Sequence, residues 1–443
     1  MPADRSERGE LAALVRLAVP LAAQQVGLQL MASVDQALLG HYSDAALAAA
    51  GIGNNLLFAI SSLGMGVMMG LDTIVPQALG AGRTGDARRA IGAGVRLALI
   101  VGLALTAAAF AAPLVLAAAH VAPDVVAIAW PYIYVRAIGV TLFLLTIALR
   151  SYLAAHHTTR PLLAAVVAGN ALNFGLDLAL IFGVPALGVP ELGATGAALS
   201  TTFVQLLTVA VYWAGVRRLD HGAARPKPRA SDLRAIVAIG LPVGGQIFAE
   251  VGIFSIATVI AGALGTLPAD AHSIALALSS FTFSAAVGIA SATSVQVGHA
   301  IGAGDVPLAR RRAGLGLAAG LAVMACFAGA FLIAPGALAG LFASDPVVIA
   351  ATVPLLHIAA GFQLFDGVQA IAAGALRGLG RTRATFVGNL LGHYLVGVPV
   401  LFALGFGAGL GITGVWWGLT AGLGATGACL AVWFFRSTRQ SPR

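Results

Sequence analysis

Long apolar blocks separated by short polar segments run through almost the whole chain. A hydrocarbon core of about 30 Å is crossed by about 20 helical residues, and the blocks reach that length. Because backbone groups in lipid must form hydrogen bonds within their own segment, such blocks are helices rather than open strands. The pattern predicts an all-α integral membrane protein with twelve transmembrane helices, at residues 14–40, 46–78, 90–119, 126–154, 160–184, 193–215, 233–262, 269–300, 307–341, 347–377, 383–406 and 411–435.

One long polar segment, 216–234, divides the chain into two halves that resemble each other. Leu-Ala-Val-Pro20 corresponds to Ile-Gly-Leu-Pro242, and Gln77-Ala-Leu-Gly-Ala-Gly82 corresponds to His299-Ala-Ile-Gly-Ala-Gly304. Pro20 and Pro242 are separated by the same length of chain as Gly82 and Gly304, and a constant offset of this kind indicates duplication. We therefore predict two pseudo-symmetric six-helix lobes, with boundaries at 1–216 for the N-lobe, 217–232 for a cytoplasmic linker and 233–443 for the C-lobe.

Composition and charge support a membrane location. Of 443 residues, 59% are hydrophobic and 9% are charged, and the mean hydropathy is +0.93, so polar groups are too few to cover a soluble globule or helical solenoid. The net charge of +8 does not indicate a nucleic-acid partner, because Lys and Arg occur at both termini and in every second connection, whereas the opposite connections have none. By the positive-inside rule, both termini and the linker are cytoplasmic, where basic residues contact anionic headgroups.

Three further expectations concern the ends of the chain and its surroundings. The first residues are polar and the first apolar block is long, so we expect no cleaved signal peptide and a multi-pass protein of the bacterial inner membrane. Trp416 and Trp417 are expected in an aromatic belt at the outer interface. We expect the protein to be a monomer in the bilayer.

Five carboxylates lie within predicted crossings: Asp35, Asp72, Asp177, Glu250 and Asp366. An ionised carboxylate near the bilayer centre costs about 2.5–3.5 kcal/mol, and few basic residues lie at matching depth. This favours a watery cavity or a cation path over structural pairing. Asp72, close to the helix end at Gly82, fits a helix–helix hydrogen bond equally well.

Amide side chains accompany the best candidates among these carboxylates. Their spacings on a helix place Asn170, Asn173 and Asp177 on one face, and Gln246 and Glu250 on another. Gln369 lies on the same face of its predicted helix as Asp366, and Gln363 lies on the same helix. We therefore expect Gln246 and Gln363 to assist the carboxylates.

Motifs for other classes of function are missing from the sequence. It has no nucleophile elbow, phosphate loop, nucleotide-binding segment or His/Cys metal cluster, so we expect neither an enzyme nor a cofactor. An intramembrane enzyme would need a paired acid and base, and the histidines are scattered. The short cytoplasmic connections leave no room for an ATPase domain in this chain. Unless another subunit supplies one, an ion gradient must provide the energy for transport, and a channel is the alternative. Duplicated halves favour alternating access.

Several motifs resemble the multidrug and toxic compound extrusion (MATE) family over nearly the whole chain. They are Val34-Asp35-Gln-Ala-Leu-Leu-Gly40, Gln77-Ala-Leu-Gly-Ala-Gly82, Leu176-Asp177-Leu-Ala-Leu-Ile-Phe-Gly183, Gly302-Ala-Gly304-Asp305 and Gly374-Ala-Leu-Arg-Gly378. The resemblance implies two six-helix lobes with a cavity between them, and export of small organic, cationic amphipathic molecules in exchange for H⁺ or Na⁺. The alternative within the same superfamily is a flippase for a lipid-linked precursor, which would need cationic residues to hold a diphosphate. Arg136 alone lies at mid-depth, where it either pairs with an acidic group or extends to the outer interface.

The resemblance also implies site residues. In one branch of the family, the coupling site matches Asp35, Asn173, Asp177 and Thr195. In the sodium-coupled bacterial branch, the matching residues are Glu250 and Asp366, and Phe362 stands where that branch has a Tyr, so one oxygen ligand is absent. The chain mixes both signatures, so Na⁺ has two candidate sites, Glu250 with Asp366 and Asp35 with Asp177, and H⁺ remains an alternative at each.

Overall fold

The computed structural model describes residues 7–111, 114, 123–221, 223 and 226–439. Several residues used in the sequence analysis lie outside this part of the chain, namely Arg5, residues 112, 113 and 115–119 of the third predicted block, Arg225 and Arg443.

Within the described residues, twelve helices are long and apolar enough to cross a membrane. Their bounds are α1 Glu7–Tyr42, α2 Asp44–Gly80, α3 Thr84–Phe110, α4 Pro123–Ala155, α5 Arg160–Ile181, α6 Ala194–Leu219, α7 Ala230–Ala263, α8 Thr266–Gly302, α9 Val306–Ile333, α10 Pro346–Leu379, α11 Thr382–Gly407 and α12 Gly411–Ser437. The described residues form no strand beyond a single bridge between Val184 and Val189. The predicted all-α fold with twelve transmembrane helices is therefore confirmed.

Three of the helices are less regular than the sequence pattern predicted. Helix α2 is interrupted at Gly70, whose N–H donates to Val67 O over 3.1 Å. The predicted block 307–341 ends as α9 at Ile333, and the short helix Pro335–Ala339 follows because a proline cannot continue the preceding helix. Helix α11 widens into π-turns at Leu390–Gly397 and Ala403–Gly407, on either side of Pro399, which has no N–H to donate.

The repeated Gly-Ala-Gly motif ends a helix in each half of the chain. Gly82 after α2 and Gly304 after α8 have left-handed backbone angles, with φ of +73° and +76°. Glycine adopts this conformation without a Cβ penalty, which is why it commonly follows the last helical turn. In the second half Asp305 also caps α9, because its Oδ1 accepts the Leu308 N–H over 2.9 Å.

The helices gather into two compact units. The C-terminal unit comprises the described residues of Met1–Gln25, Gly80–Gly82 and Gly245–Arg443, and the N-terminal unit comprises Val26–Leu79 and those of Arg83–Gly244. The units therefore divide inside α1 and α7, a few residues after Pro20 and Pro242, and not in the polar linker. The lobe boundaries at 1–216, 217–232 and 233–443 stay a prediction.

Close contacts between small residues repeat with the same offset as the sequence motifs. In the N-terminal unit, Gly66 of α2 packs so closely on Gly244 of α7 that a Cβ on Gly66 would overlap the Gly244 backbone. In the C-terminal unit, Gly288 of α8 packs in the same way on Ala22 of α1. Gly66 corresponds to Gly288, and Ala22 to Gly244, by the offset that relates Pro20 to Pro242. Helices in lipid associate mainly through such close packing, so the duplication is present in contacts as well as in sequence.

The core of the C-terminal unit corrects one expectation. Trp417 is 49% exposed, as expected of a belt residue, whereas Trp416 is 0% exposed. The Trp416 ring packs on Phe362 at a centroid distance of 5.5 Å and on His272 at 5.9 Å. The prediction of an interfacial position was wrong for Trp416, because a large aromatic ring can pack between helices as readily as it can lie at the membrane interface.

Candidate functional site

The N-terminal unit contains a pair of carboxyl groups, Asp35 of α1 and Asp177 of α5. The two groups lie close enough to interact directly. Asp177 is 0% exposed, and Asp35 and Ser200 are the polar side chains beside it. Neither Asp177 oxygen accepts a hydrogen bond of normal geometry from a described residue, because Ser200 Oγ donates to Asn173 O. Asp35 Oδ2 accepts a hydrogen bond from Thr201 Oγ1 of α6 over 2.9 Å, and its Oδ1 is buried without a donor among the described residues.

This pair is short of positive charge. No Lys or Arg in the described part of the chain forms an ion pair with Asp35 or Asp177. Two neighbouring carboxylates repel each other, and burial adds to the cost of ionising both. A single cation between them, either H⁺ or Na⁺, relieves both effects. The arrangement therefore fits the reversible binding of one small cation.

The three residues predicted to accompany this pair, Asn170, Asn173 and Thr195, form no hydrogen bond with either carboxyl group among the described contacts. Asn173 is buried and its Nδ2 donates to Ser200 Oγ over 3.0 Å, whereas Asn170 Nδ2 donates to Val166 O of its own helix over 2.9 Å. Thr201, rather than Thr195, supplies the hydroxyl to Asp35. Sequence reasoning missed Thr201 and Ser200. The available signal was the hydroxyl run Ser200-Thr201-Thr202 in an apolar helix.

The C-terminal unit has a second cluster around Glu250 of α7. Its Oε1 accepts three amide hydrogen bonds, from Gln246 Nε2 at 3.0 Å, Gln369 Nε2 at 2.5 Å and Asn389 Nδ2 at 2.6 Å. The donors come from α7, α10 and α11, so one carboxylate oxygen joins three helices. Gln246 was predicted to accompany Glu250, and Gln369 and Asn389 add to it.

Asp366 of α10 is the second acid of this cluster. It is 6% exposed and lies within electrostatic range of Glu250, and no described side chain donates a hydrogen bond to it. Gln363 is not part of the cluster, because its Nε2 donates to Thr282 Oγ1 of α8. Phe362 packs between Phe254 and Trp416, so it brings no oxygen to the carboxylates.

Asp72 has a structural partner on another helix. Ser151 Oγ donates to Asp72 Oδ1 over 2.5 Å, and Arg150 Nη2 lies 3.6 Å from Asp72 Oδ2. All three residues are buried. Of the two alternatives for Asp72, the contacts favour the one that joins α2 to α4.

The carboxylates do not follow the duplication that the packing contacts follow. Each of the four clustered acids, Asp35, Asp177, Glu250 and Asp366, corresponds by the same offset to an uncharged residue of the other half, in turn Ala257, Pro399, Leu28 and Leu144. The two units therefore combine a repeated scaffold with different chemistry. The described residues bring together no group of three or more His, Cys, Asp or Glu that would hold a resident metal ion.

Comparisons with known proteins agree with this architecture. A family model described as MatE matches the chain twice, over residues 20–179 and 242–403, and the two matches begin at the corresponding prolines Pro20 and Pro242. Proteins named probable multidrug resistance protein NorM from Bradyrhizobium diazoefficiens and Pseudomonas putida are 36% and 35% identical over 424 and 434 residues. These alignments cover 93% and 96% of this chain, and 90% and 93% of the relatives.

Solved structures share the fold. The eukaryotic MATE transporter AtDTX14 matches with a TM-score of 0.86 at 20% identity, covering 98% of both chains. A MATE protein in a straight conformation matches with a TM-score of 0.89 at 20% identity, covering 97% of this chain and 96% of that one. Because the family model matches both halves and the relatives align along almost the whole length, this chain belongs to the MatE family.

Proposed function

We propose that the protein is a secondary antiporter of the bacterial inner membrane, which exports organic, cationic amphipathic compounds in exchange for H⁺ or Na⁺. The observation that carries the proposal is the Asp35–Asp177 pair, two neighbouring carboxyl groups without a basic partner inside a helical membrane protein. The names of the relatives, multidrug resistance proteins, support export of several compounds.

Competition for negative charge accounts for the exchange. When both carboxyl groups of the pair are ionised, their repulsion favours the binding of any cation that fits. A proton or Na⁺ removes the excess charge and with it the attraction for an organic cation. Loading of the ion from one side therefore releases the organic cation there, and loss of the ion on the other side restores its binding.

The contacts of the C-terminal cluster give it a different part in this proposal. Three N–H donors hold Glu250 Oε1 in one orientation, and such donors support an oxygen that only accepts. Asp366 lacks donors of this kind, and Phe362 supplies no ligand oxygen. We therefore assign the competition between the ion and the organic cation to Asp35 and Asp177, and assign to Glu250 and Asp366 a further negative charge that attracts the organic cation.

The test is transport by the purified full-length protein in proteoliposomes. Uptake of the fluorescent cation ethidium would be followed with a pH gradient or a Na⁺ gradient imposed separately. We expect one of the two gradients to drive uptake and so to identify the ion. Asp177→Asn and Asp35→Asn should abolish gradient-driven uptake, because an amide cannot exchange a proton and carries no charge for Na⁺.

A matched control is Asp270→Asn, which alters an exposed aspartate near the start of α8. This variant should transport like the native protein, and size-exclusion profiles should show that all variants are folded. Native rates in both Asp35→Asn and Asp177→Asn would reject the assignment to this pair. Ethidium flux that ignores both gradients would indicate a channel, and transport of a lipid-linked diphosphate in place of ethidium would indicate the flippase alternative.

A further inference from the structure

A cavity with a cation in its lining lies in the N-terminal unit, between α2, α4 and α6. Its volume is about 120 Å³. Its polar lining residues are Arg136, Asn54, Ser61 and Gln205, and the remaining lining residues are Leu57, Phe58, Gly139, Val140 and Phe143. None of the described lining residues is acidic, so the cavity differs in sign from both carboxylate clusters.

The guanidinium of Arg136 has no counter-charge in direct contact. Its Nε–H is buried and donates to no described residue, and Arg136 forms no ion pair within the described part of the chain. Tyr132, one turn earlier on α4, is within hydrogen-bonding range of Arg136 and within electrostatic range of Asp35 and Asp177, so the polar neighbour of the guanidinium is an uncharged phenol. Of the two sequence alternatives for Arg136, direct pairing with an acidic group is therefore not observed.

The absence of a side chain at Gly139 keeps space open beside the guanidinium. A Cβ on Gly139 would lie 3.0 Å from Gln205 Oε1 and 3.6 Å from Arg136 Nη1. A methyl group there would thus narrow the cavity between its charged group and one of its amides. This position offers a way to obstruct the cavity without removing the charge.

Charge and size together define the ligand. An arginine inside a membrane protein is costly, and an anion in contact would offset that cost. The planar guanidinium offers parallel N–H donors that match a carboxylate. A whole drug-sized molecule needs a pocket of about 300–1,000 Å³, so this cavity has room for one group only.

We infer that this cavity is an anion subsite, in which Arg136 binds a monovalent anionic group, either the carboxylate of an organic molecule or a halide ion. The inference extends the proposed function. It rests on that proposal in one respect only, which is that an organic molecule bound here is a transport substrate. Substrates that carry a carboxylate as well as a cationic amine would then contact both Arg136 and a carboxylate of the protein.

Binding to the full-length protein in lipid nanodiscs tests the inference without any transport. Fluorine NMR follows the binding of para-fluorobenzoate and of its neutral analogue para-fluorobenzamide. The line width of the chlorine NMR signal follows the binding of chloride. We expect the benzoate to bind and the benzamide to bind at least about tenfold more weakly, as loss of a charge-assisted hydrogen bond implies. Competition by chloride would identify a general anion site, and its failure a carboxylate site; either result supports the inference.

Three variants locate the binding. Arg136→Gln should weaken benzoate binding by about tenfold or more, and Gly139→Ala should weaken it while keeping the guanidinium. The control Arg383→Gln removes an exposed arginine and should bind like the native protein. The inference is overturned if neither anion shows binding that depends on Arg136, or if the benzamide binds as tightly as the benzoate. Since no flux is measured, this outcome is independent of the outcome of the ethidium assay.

Discussion

Two substitutions of Glu250 should separate its effect on stability from its effect on transport. In Glu250→Ala, three amide donors lose the oxygen that they share. An orphaned buried donor costs about 1–3 kcal/mol, which gives an upper value of about 9 kcal/mol. Hydrogen bonds between membrane helices average about 0.6 kcal/mol, which gives a lower value of about 2 kcal/mol for three. Glu250→Ala should therefore lower the free energy of unfolding by about 2–9 kcal/mol.

Glu250→Gln keeps an oxygen at the same place for the same donors, but it carries no charge. We expect the thermal unfolding temperature of this variant in detergent to stay close to that of the native protein, while ethidium export falls strongly. Unfolding followed by tryptophan fluorescence and flux in proteoliposomes provide the two measurements. The reasoning is refuted if Glu250→Ala is as stable as the native protein, since the amides must then have other partners. Native transport by Glu250→Gln would refute the role of the charge.

Three further predictions concern packing and buried charge. Asp72→Asn should lower the free energy of unfolding by about 3–5 kcal/mol, because it leaves Arg150 buried without its counter-charge. Adding Arg150→Met should recover part of the loss. Equal unfolding temperatures for the single and double variants would contradict this pairing. Gly288→Leu should prevent the approach of α8 to Ala22 and reduce the yield of folded protein on size exclusion, whereas a native yield would show that the contact can open at no cost. His156 lies outside the membrane spans, and burial lowers its pKa. The neutral imidazole therefore stabilises the folded state above the unfolded pKa of about 6.5, and this stabilisation is lost as the pH falls through the lower pKa of the folded state. His156→Gln should flatten the fall of the unfolding temperature on acidification, and an unchanged pH profile would contradict the sign.

The candidate site was predictable as a set of residues but not as a set of contacts. A carboxylate inside an apolar block is costly in lipid and therefore stands out in the sequence. Asp35, Asp177, Glu250 and Asp366 were predicted as functional residues on this ground. Their environments were not predictable in the same way. Asp72 looked similar in the sequence, yet Arg150 and Ser151 pair with it, whereas Asp177 has no described donor.

The same limit explains the differences between the predicted and the observed neighbours of these residues. Thr195 and Thr201 lie about 9 Å apart along the axis of α6, and the depth and rotation of α6 against α1 decide which hydroxyl meets Asp35. Trp416 and Trp417 are adjacent, and one is buried while the other is exposed. Residues on neighbouring faces of a helix differ in environment by the rotation of that helix about its axis, which the local sequence does not specify.

The twelve crossings, the duplication and the presence of acids within the crossings follow from the sequence alone, because length, hydropathy and repetition are properties of each segment that do not depend on its neighbours. The tertiary structure decided which acids are paired, which amides converge on Glu250 and where Arg136 has space around it. These depend on the depth and rotation of each helix relative to its neighbours. Close contacts of small residues far apart in the chain, such as Gly66 with Gly244, set that geometry.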